Sequence, residues 1–179
     1  ELLNILDLVS LGTICDVVPL VGLNRAIVHQ GLKIIKRKKN LGLKTLIEVS
    51  NIESNITSYH LGYVLGPRIN AGGRVGKSTH GANLLLNQNP KDTFKLAVDL
   101  DTYNKERQIL EGELLKKILN TNFENSSDPV VILHGENWHE GIIGIIAARI
   151  KEKFNKPAII ISVNKGIGKV QVDLSMVSI

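Results

Sequence analysis

Residues 66–74 read GPRINAGGR, which sets Arg68, Asn70 and Arg74 among Gly66, Gly72 and Gly73. Glycine lets a backbone take positive φ and lets its N–H groups come close to a ligand. Arginine forks match phosphate oxygens. Read as a glycine-rich loop, the segment is a phosphate cradle, with Asn70 adding hydrogen bonds to a sugar or base. Read as scaffold, it is a loop whose arginines pair with local acids. Spacing alone leaves both open.

A second constellation is GENWHEGIIGIIAARI at residues 135–150, where Trp138 and His139 stand just ahead of an apolar helical pattern. A helix N-terminus after a strand and a turn can hold an anion, and an aromatic ring there can stack on a base. Trp138, the single tryptophan, reads as a packing anchor, and His139 reads as a ligand contact. Asp7 and Asp16 interrupt the apolar opening ELLNILDLVSLGTICDVVPL. Cys15, the one cysteine, excludes an internal disulfide and a multi-cysteine zinc site, and reads as a buried small residue.

These groups need elements to position them. Residues 1–20 read as a helix or strand running into a buried segment. Residues 23–39 read as a helix with Ile27, Val28, Leu32 and Ile35 on one face. Its end, KIIKRKKN, belongs to a stretch from Asp16 to Glu48 without an intervening acid. Lysines there suit a helix C-terminus, and a one-sided charge run also suits phosphates. Residues 42–65 continue helical, with Thr57 or Ser58 as the cap before the glycine segment. Residues 79–87 make a short helix. Residues 91–120 make a longer one carrying Leu96, Leu100, Tyr103, Ile109, Leu110, Leu114 and Ile118. A polar linker, NTNFENSSD, follows. The period then changes: PVVILHG is a strand, GIIGIIAARIKEKF a helix and KPAIIISV a strand. That order favours a parallel pair with a right-handed crossover, and the fold class is α/β.

The chain has 179 residues, 43% of them hydrophobic, with 22 Lys and Arg against 17 Asp and Glu, a net charge of +5. The size suits one core and part of a second. The mild basic excess leans toward an anionic partner. No long apolar run or signal peptide is visible, so the chain reads as cytoplasmic with no membrane partner. The only methionine is Met176 and the chain opens on apolar residues, so it reads as a piece of something longer, with the missing part on the N-terminal side.

Three motifs in this order, DLVSLGTICDVVPL, GPRINAGGR and WHEGIIGIIAARI, resemble the RecJ exonucleases of the DHH phosphoesterase superfamily from about residue 5 to residue 169. Gly72 departs from the family's alanine, a small change that loosens the loop. The resemblance implies the end of a DHH domain at 1–22, a helical connector at 23–55 and a DHH-associated substrate-binding domain at 56–179. It implies a metal-dependent 5′→3′ exonuclease on single-stranded DNA in repair and recombination, with a helicase or single-strand-binding protein as a further partner. Two divalent ions, manganese or magnesium, would activate water and stabilise phosphoryl charge. Asp7 matches the last metal-binding aspartate and so counts as catalytic. Asp16 matches a neighbouring acid of less defined role. Arg68, Asn70 and Arg74 match the substrate-gripping loop, and His139 the loop facing the active site. Asn104 and Arg107 of YNKERQ are structural or strand-contacting. The DHH tripeptide is absent from the sequence, so this polypeptide alone is expected to be inactive. The alternatives are another DHH phosphoesterase, acting on short oligonucleotides or cyclic dinucleotides, and a non-catalytic binding remnant.

The resemblance stops after Lys169. The tail KVQVDLSMVSI can be back-translated so that the neighbouring frame encodes GSGRSINGID, close to the glycine-rich stretch the family carries there. Residues 170–179 are therefore read as out of frame after a single-base deletion, and as poorly packed. A divergent C-terminal strand is the alternative, since VQVDLSMV alternates.

Overall fold

The computed structural model of the chain describes residues 2–121 and 128–174. The chain forms two compact units, Glu1–Lys105 and Glu106–Ile179. The cut falls inside a helix, whereas the boundaries expected from sequence, after residues 22 and 55, lie within the first unit.

Unit 1 is helical. A short 3-10 turn, Leu2–Ile5, leads into α1 (Leu6–Cys15), then α2 (Gly22–Ile35) and α3 (Leu41–Val49). α2 stops four residues short of the expected end: Lys38 takes a φ of 53°, outside the helical region, and Lys36–Lys39 are exposed. Asn40 caps α3, its side chain accepting from the Leu43 N–H at 2.9 Å, which satisfies one of the orphan donors of the first turn. The core gathers Leu11, Ile35, Leu43, Leu46, Leu61, Leu65, Leu84 and Leu100. Each fully buried leucine contributes about 2 kcal/mol relative to exposure. Cys15 is half-buried rather than buried. Burial pushes its thiol pKa up, and the Asp16 charge adds to that.

The segment expected as a glycine loop is helix. A helical run opens at Ser58, with Thr57 just before it, widens into a π-helical turn at His60–Leu65, and continues as α4 (Gly66–Val75). Pro67 has no N–H to donate, and its ring crowds the carbonyl four residues back. The wider π register just ahead of it accommodates that defect. α5 (His80–Leu86) follows, then α6 (Pro90–Leu119), a 30-residue helix that runs from unit 1 into unit 2. Asn89 caps α6: its side chain accepts from the Lys91 N–H at 2.9 Å.

Unit 2 is the α/β part. β1 (Val131–Glu136), α7 (Glu140–Phe154), β2 (Ala158–Asn164) and β3 (Ile167–Asp173) make a three-stranded sheet in the order β1-β2-β3. β1 and β2 are parallel, with Val131 opposite Ala158, as the strand–helix–strand pattern requires. β2 and β3 are antiparallel, and the hairpin turns at Lys165 and Gly166, both at positive φ, the geometry that suits strand twist. Ile142, Ile143, Ile146, Ala147 and Ile150 line the buried face of α7, and Ala158 and Ile160 of β2 are buried as well. Residues 170–173, expected to be out of frame, complete β3 in regular register, with Val170 opposite Ile161 and Val172 opposite Ile159. Both valines remain half-exposed. A ladder needs only main-chain groups, but a tail side chain is engaged as well: Asp173 lies 2.9 Å from Lys151 of α7. Residues 175–179 and most of the expected linker lie outside the described residues.

Candidate nucleic-acid interface

α4 changes the chemistry of GPRINAGGR. Its backbone N–H groups serve the helix, so they do not form a phosphate cradle. The glycines answer to packing instead. A Cβ on Gly66 would meet the Cys15 sulfur at 2.6 Å, and one on Gly72 would meet the Lys77 carbonyl oxygen at 2.7 Å. Gly72 is buried in a tight helix–turn contact, so it does not loosen a loop.

The side chains of α4 divide by role. Arg68 faces inward: its Nε donates to Asp101 Oδ1 at 2.8 Å and its Nη1 to the Val64 carbonyl at 2.8 Å. Lys105 closes the group from the other side, 2.7 Å from Asp101 Oδ2. Burial is the largest influence on Asp101 and opposes its ionisation. The hydrogen bonds and charges of Lys105 and Arg68 together outweigh it and hold the carboxyl below its usual range. Arg68 is thus a brace between α4 and α6, and the three-group cluster retains one net positive charge. Asn70 and Arg74 stand exposed on the other face of α4.

Asp7 lies on α1, 5% exposed, with Oδ1 accepting from the Leu8 N–H at 2.8 Å. Asp16 is exposed at the end of α1. Among the described residues no three His, Cys, Asp or Glu side chains come together in a way that would hold a metal ion.

In unit 2, His139 is the N-cap of α7, its Nδ1 accepting from the Gly141 N–H at 3.1 Å. That leaves Nε2 as the ring atom for an outside partner. Trp138 packs over Gly135, where a Cβ would come within 2.2 Å of the indole ring. Its carbonyl accepts from Ser162 Oγ at 2.6 Å. A cleft of about 540 Å³ opens beside them, lined by Glu113, Lys117, Trp138, His139, Glu140 and Asn164 among others. Glu140 itself pairs with Lys169 of β3. Asn104 is buried, and Arg107 is a structural partner of Glu111 at 2.7 Å, which Arg149 also reaches at 3.2 Å. Unit 1 therefore brings Arg68, Asn70 and Arg74 onto one helix, and unit 2 carries His139. Sequence reasoning missed Asp101 as the partner of Arg68, and Glu113, Lys117 and Asn164 as walls of the cleft. A polar residue at a core-facing helical position was the available signal for Asp101.

Among the described residues no helix is long and apolar enough to cross a membrane. The DHHA1 domain family matches residues 127–179. Single-stranded-DNA-specific exonuclease RecJ of Salmonella typhimurium is 40% identical over 166 residues, and that of Dickeya dadantii 39% over 166 residues. Each match takes in 89% of this chain and 29% of the relative. The RecJ of Bacillus subtilis is 33% identical, over 93% of this chain and 22% of its own. The chain thus spans less than a third of the length of these relatives. The crystal structure of RecJ in complex with Mg²⁺ from Thermus thermophilus superposes with a TM-score of 0.83 at 33% identity, over 96% of this chain and 27% of that one. A crystal structure of exonuclease RecJ bound to manganese gives 0.83 at 33% identity, over 98% and 44%. The expected manganese or magnesium agrees with the ions of these RecJ structures. In sequence and in fold, the chain is similar to one stretch of the RecJ exonucleases, and its residues 127–179 match the DHHA1 domain family.

Proposed function

We propose that this chain supplies the strand-binding part of a RecJ-type exonuclease that hydrolyses phosphodiesters of single-stranded DNA from the 5′ end, and that alone it binds the strand without cutting it. The observation that carries this reading is the 39–40% identity to the RecJ exonucleases across 89% of the chain. The exposed side chains of α4 support it. Asn70 and Arg74 contact phosphate and sugar without reading sequence, and Arg68 acts behind them by fixing α4 on α6. His139 contributes Nε2 at the mouth of the unit 2 cleft. Asp7 belongs to a metal centre whose other ligands lie outside this chain, which is why no cleavage is expected here.

The test uses the purified 179-residue chain, a 5′-labelled single strand and its duplex, with manganese or magnesium present. The chain should retain the single strand in preference to the duplex and leave it intact over hours. Metal-stimulated release of nucleotides from the 5′ end would contradict the division of labour, and equal neglect of both substrates would contradict the binding role.

A further inference from the structure

The helical run that carries Arg68 also carries two tyrosines with no part in the core. Tyr59 and Tyr63 are 61% and 74% exposed. Their rings stack on each other, centroids 5.1 Å apart and planes 27° apart. His60 meets Tyr59 edge-on at 5.8 Å. Each ring covers only one face of its neighbour, so the pair presents an open aromatic face. A groove of about 390 Å³ runs beside it, walled on the far side by Val17, Val18 and Leu20.

The same side of the helix continues into the phosphate-binding residues. Tyr59, Tyr63, Pro67, Asn70 and Arg74 follow one another at spacings of four, four, three and four residues, which keeps them on one helical face. Four of these five are exposed, while Leu61, Leu65, Ala71 and Gly72 are buried on the opposite side. From Tyr63 to Arg74 the helix rises about 16 Å. The charge along this stretch has a single sign. Between Glu53 and Asp92 there is no acidic residue, while Arg68, Arg74, Lys77 and Lys91 lie there. A second copy of this surface would be repelled by it, whereas a polyanion with flat rings along its backbone matches both halves of the stripe.

We propose that the Tyr59–Tyr63 pair is a stacking platform for a base of the single strand whose phosphates Asn70 and Arg74 hold further along the same helix face. This rests on the strand-binding role proposed above. Every base has a π-face, so such a platform grips without selecting sequence.

The experiment compares two fluorescently labelled strands of equal phosphate count, oligothymidylate and the same backbone with abasic sites, titrated with the intact chain. Wild type should bind the base-bearing strand about tenfold more tightly, in line with one stacked base. Tyr59→Ala/Tyr63→Ala should lose that preference and keep the weak, salt-sensitive binding of the abasic strand. Tyr59→Phe/Tyr63→Phe should retain the preference, because the ring and not the hydroxyl is used. Circular dichroism of each variant confirms that the exposed substitutions leave the helices intact. Wild type that binds both strands equally overturns the platform and leaves the strand-binding role standing, and so does an alanine variant that keeps the preference. No binding of either strand overturns both. A concentration-dependent dimer that the alanine pair abolishes would assign the tyrosines to a protein contact and overturn the platform.

Discussion

Asp101→Ala should lower the stability of unit 1 sharply, because it strands Arg68. The two side chains are 17% and 11% exposed, and the guanidinium would lose its Nε acceptor while Nη1 stays tied to Val64. Removing one partner of a buried pair costs about 3–5 kcal/mol. The remaining exposure and the Val64 bond reduce that to about 2–3 kcal/mol, and Lys105, 69% exposed, adds little. Unit 1 has 105 residues. At about 2 cal/mol/K of unfolding entropy per residue, the loss corresponds to about 10 °C in Tm. Asp101→Asn keeps an acceptor for Nε and should lose about half as much. Arg68→Met/Asp101→Leu removes both charges and should recover most of the stability. Thermal melts followed by far-UV circular dichroism read all three. The pH dependence has a fixed sign. The Asp101 carboxyl is held below its usual range, so its contribution is full above about pH 4 and disappears as pH falls through the folded value. The gap between wild type and Asp101→Asn should close under acid conditions. Single variants melting within about 2 °C of wild type near neutral pH would refute the brace and return Arg68 to the strand-contacting set.

Gly135→Ala puts a Cβ where the Trp138 ring lies, 2.2 Å from Cε2. It should cost about 1–3 kcal/mol and shift the tryptophan emission; an unchanged spectrum would contradict the packing. His139→Ala removes the cap of α7 and should cost about 1 kcal/mol. His139→Asn should restore stability without restoring strand affinity, whereas full rescue of both would reduce His139 to a cap. Gly72→Ala gains helix propensity of about 1 kcal/mol but forces the Lys77 carbonyl away from 2.7 Å. A net loss of about 1 kcal/mol is expected, and a higher Tm would mean that the turn after α4 yields freely.

The strand–helix–strand unit was legible because its elements change hydrophobic period and their apolar runs coincide with buried positions such as Ile146 and Ile160. α6 was legible in extent but not in face. Ile109 was expected among its apolar positions and is 61% exposed, while Asp101, Asn104 and Glu111 are buried. Pattern reading assigns charge to solvent, and the buried acids Asp101 and Glu111 meet arginines 33 and 38 residues distant in sequence, a separation no local window contains. GPRINAGGR misled for a related reason. Glycine marks both a loop and a helix that other parts of the chain approach closely, and only the packing of Cys15 and Lys77 against Gly66 and Gly72 decides between them. Exposure, not residue type, distinguishes Tyr59 and Tyr63 from core aromatics, so the pattern alone does not single them out.

The central claim is that exposed side chains of α4, and not a backbone cradle, grip the phosphates. It is tested most directly by the salt dependence of single-strand affinity for wild type, Arg74→Ala and Gly73→Ala. Each phosphate of a single strand that the protein ceases to neutralise flattens the plot of log affinity against log salt by about 0.7, so Arg74→Ala should bind more weakly with a slope reduced by about that amount. Gly73→Ala adds a methyl where nothing lies within 4 Å and should behave as wild type. An unchanged slope for Arg74→Ala, together with abolished binding in Gly73→Ala, would contradict the account and restore the glycine cradle.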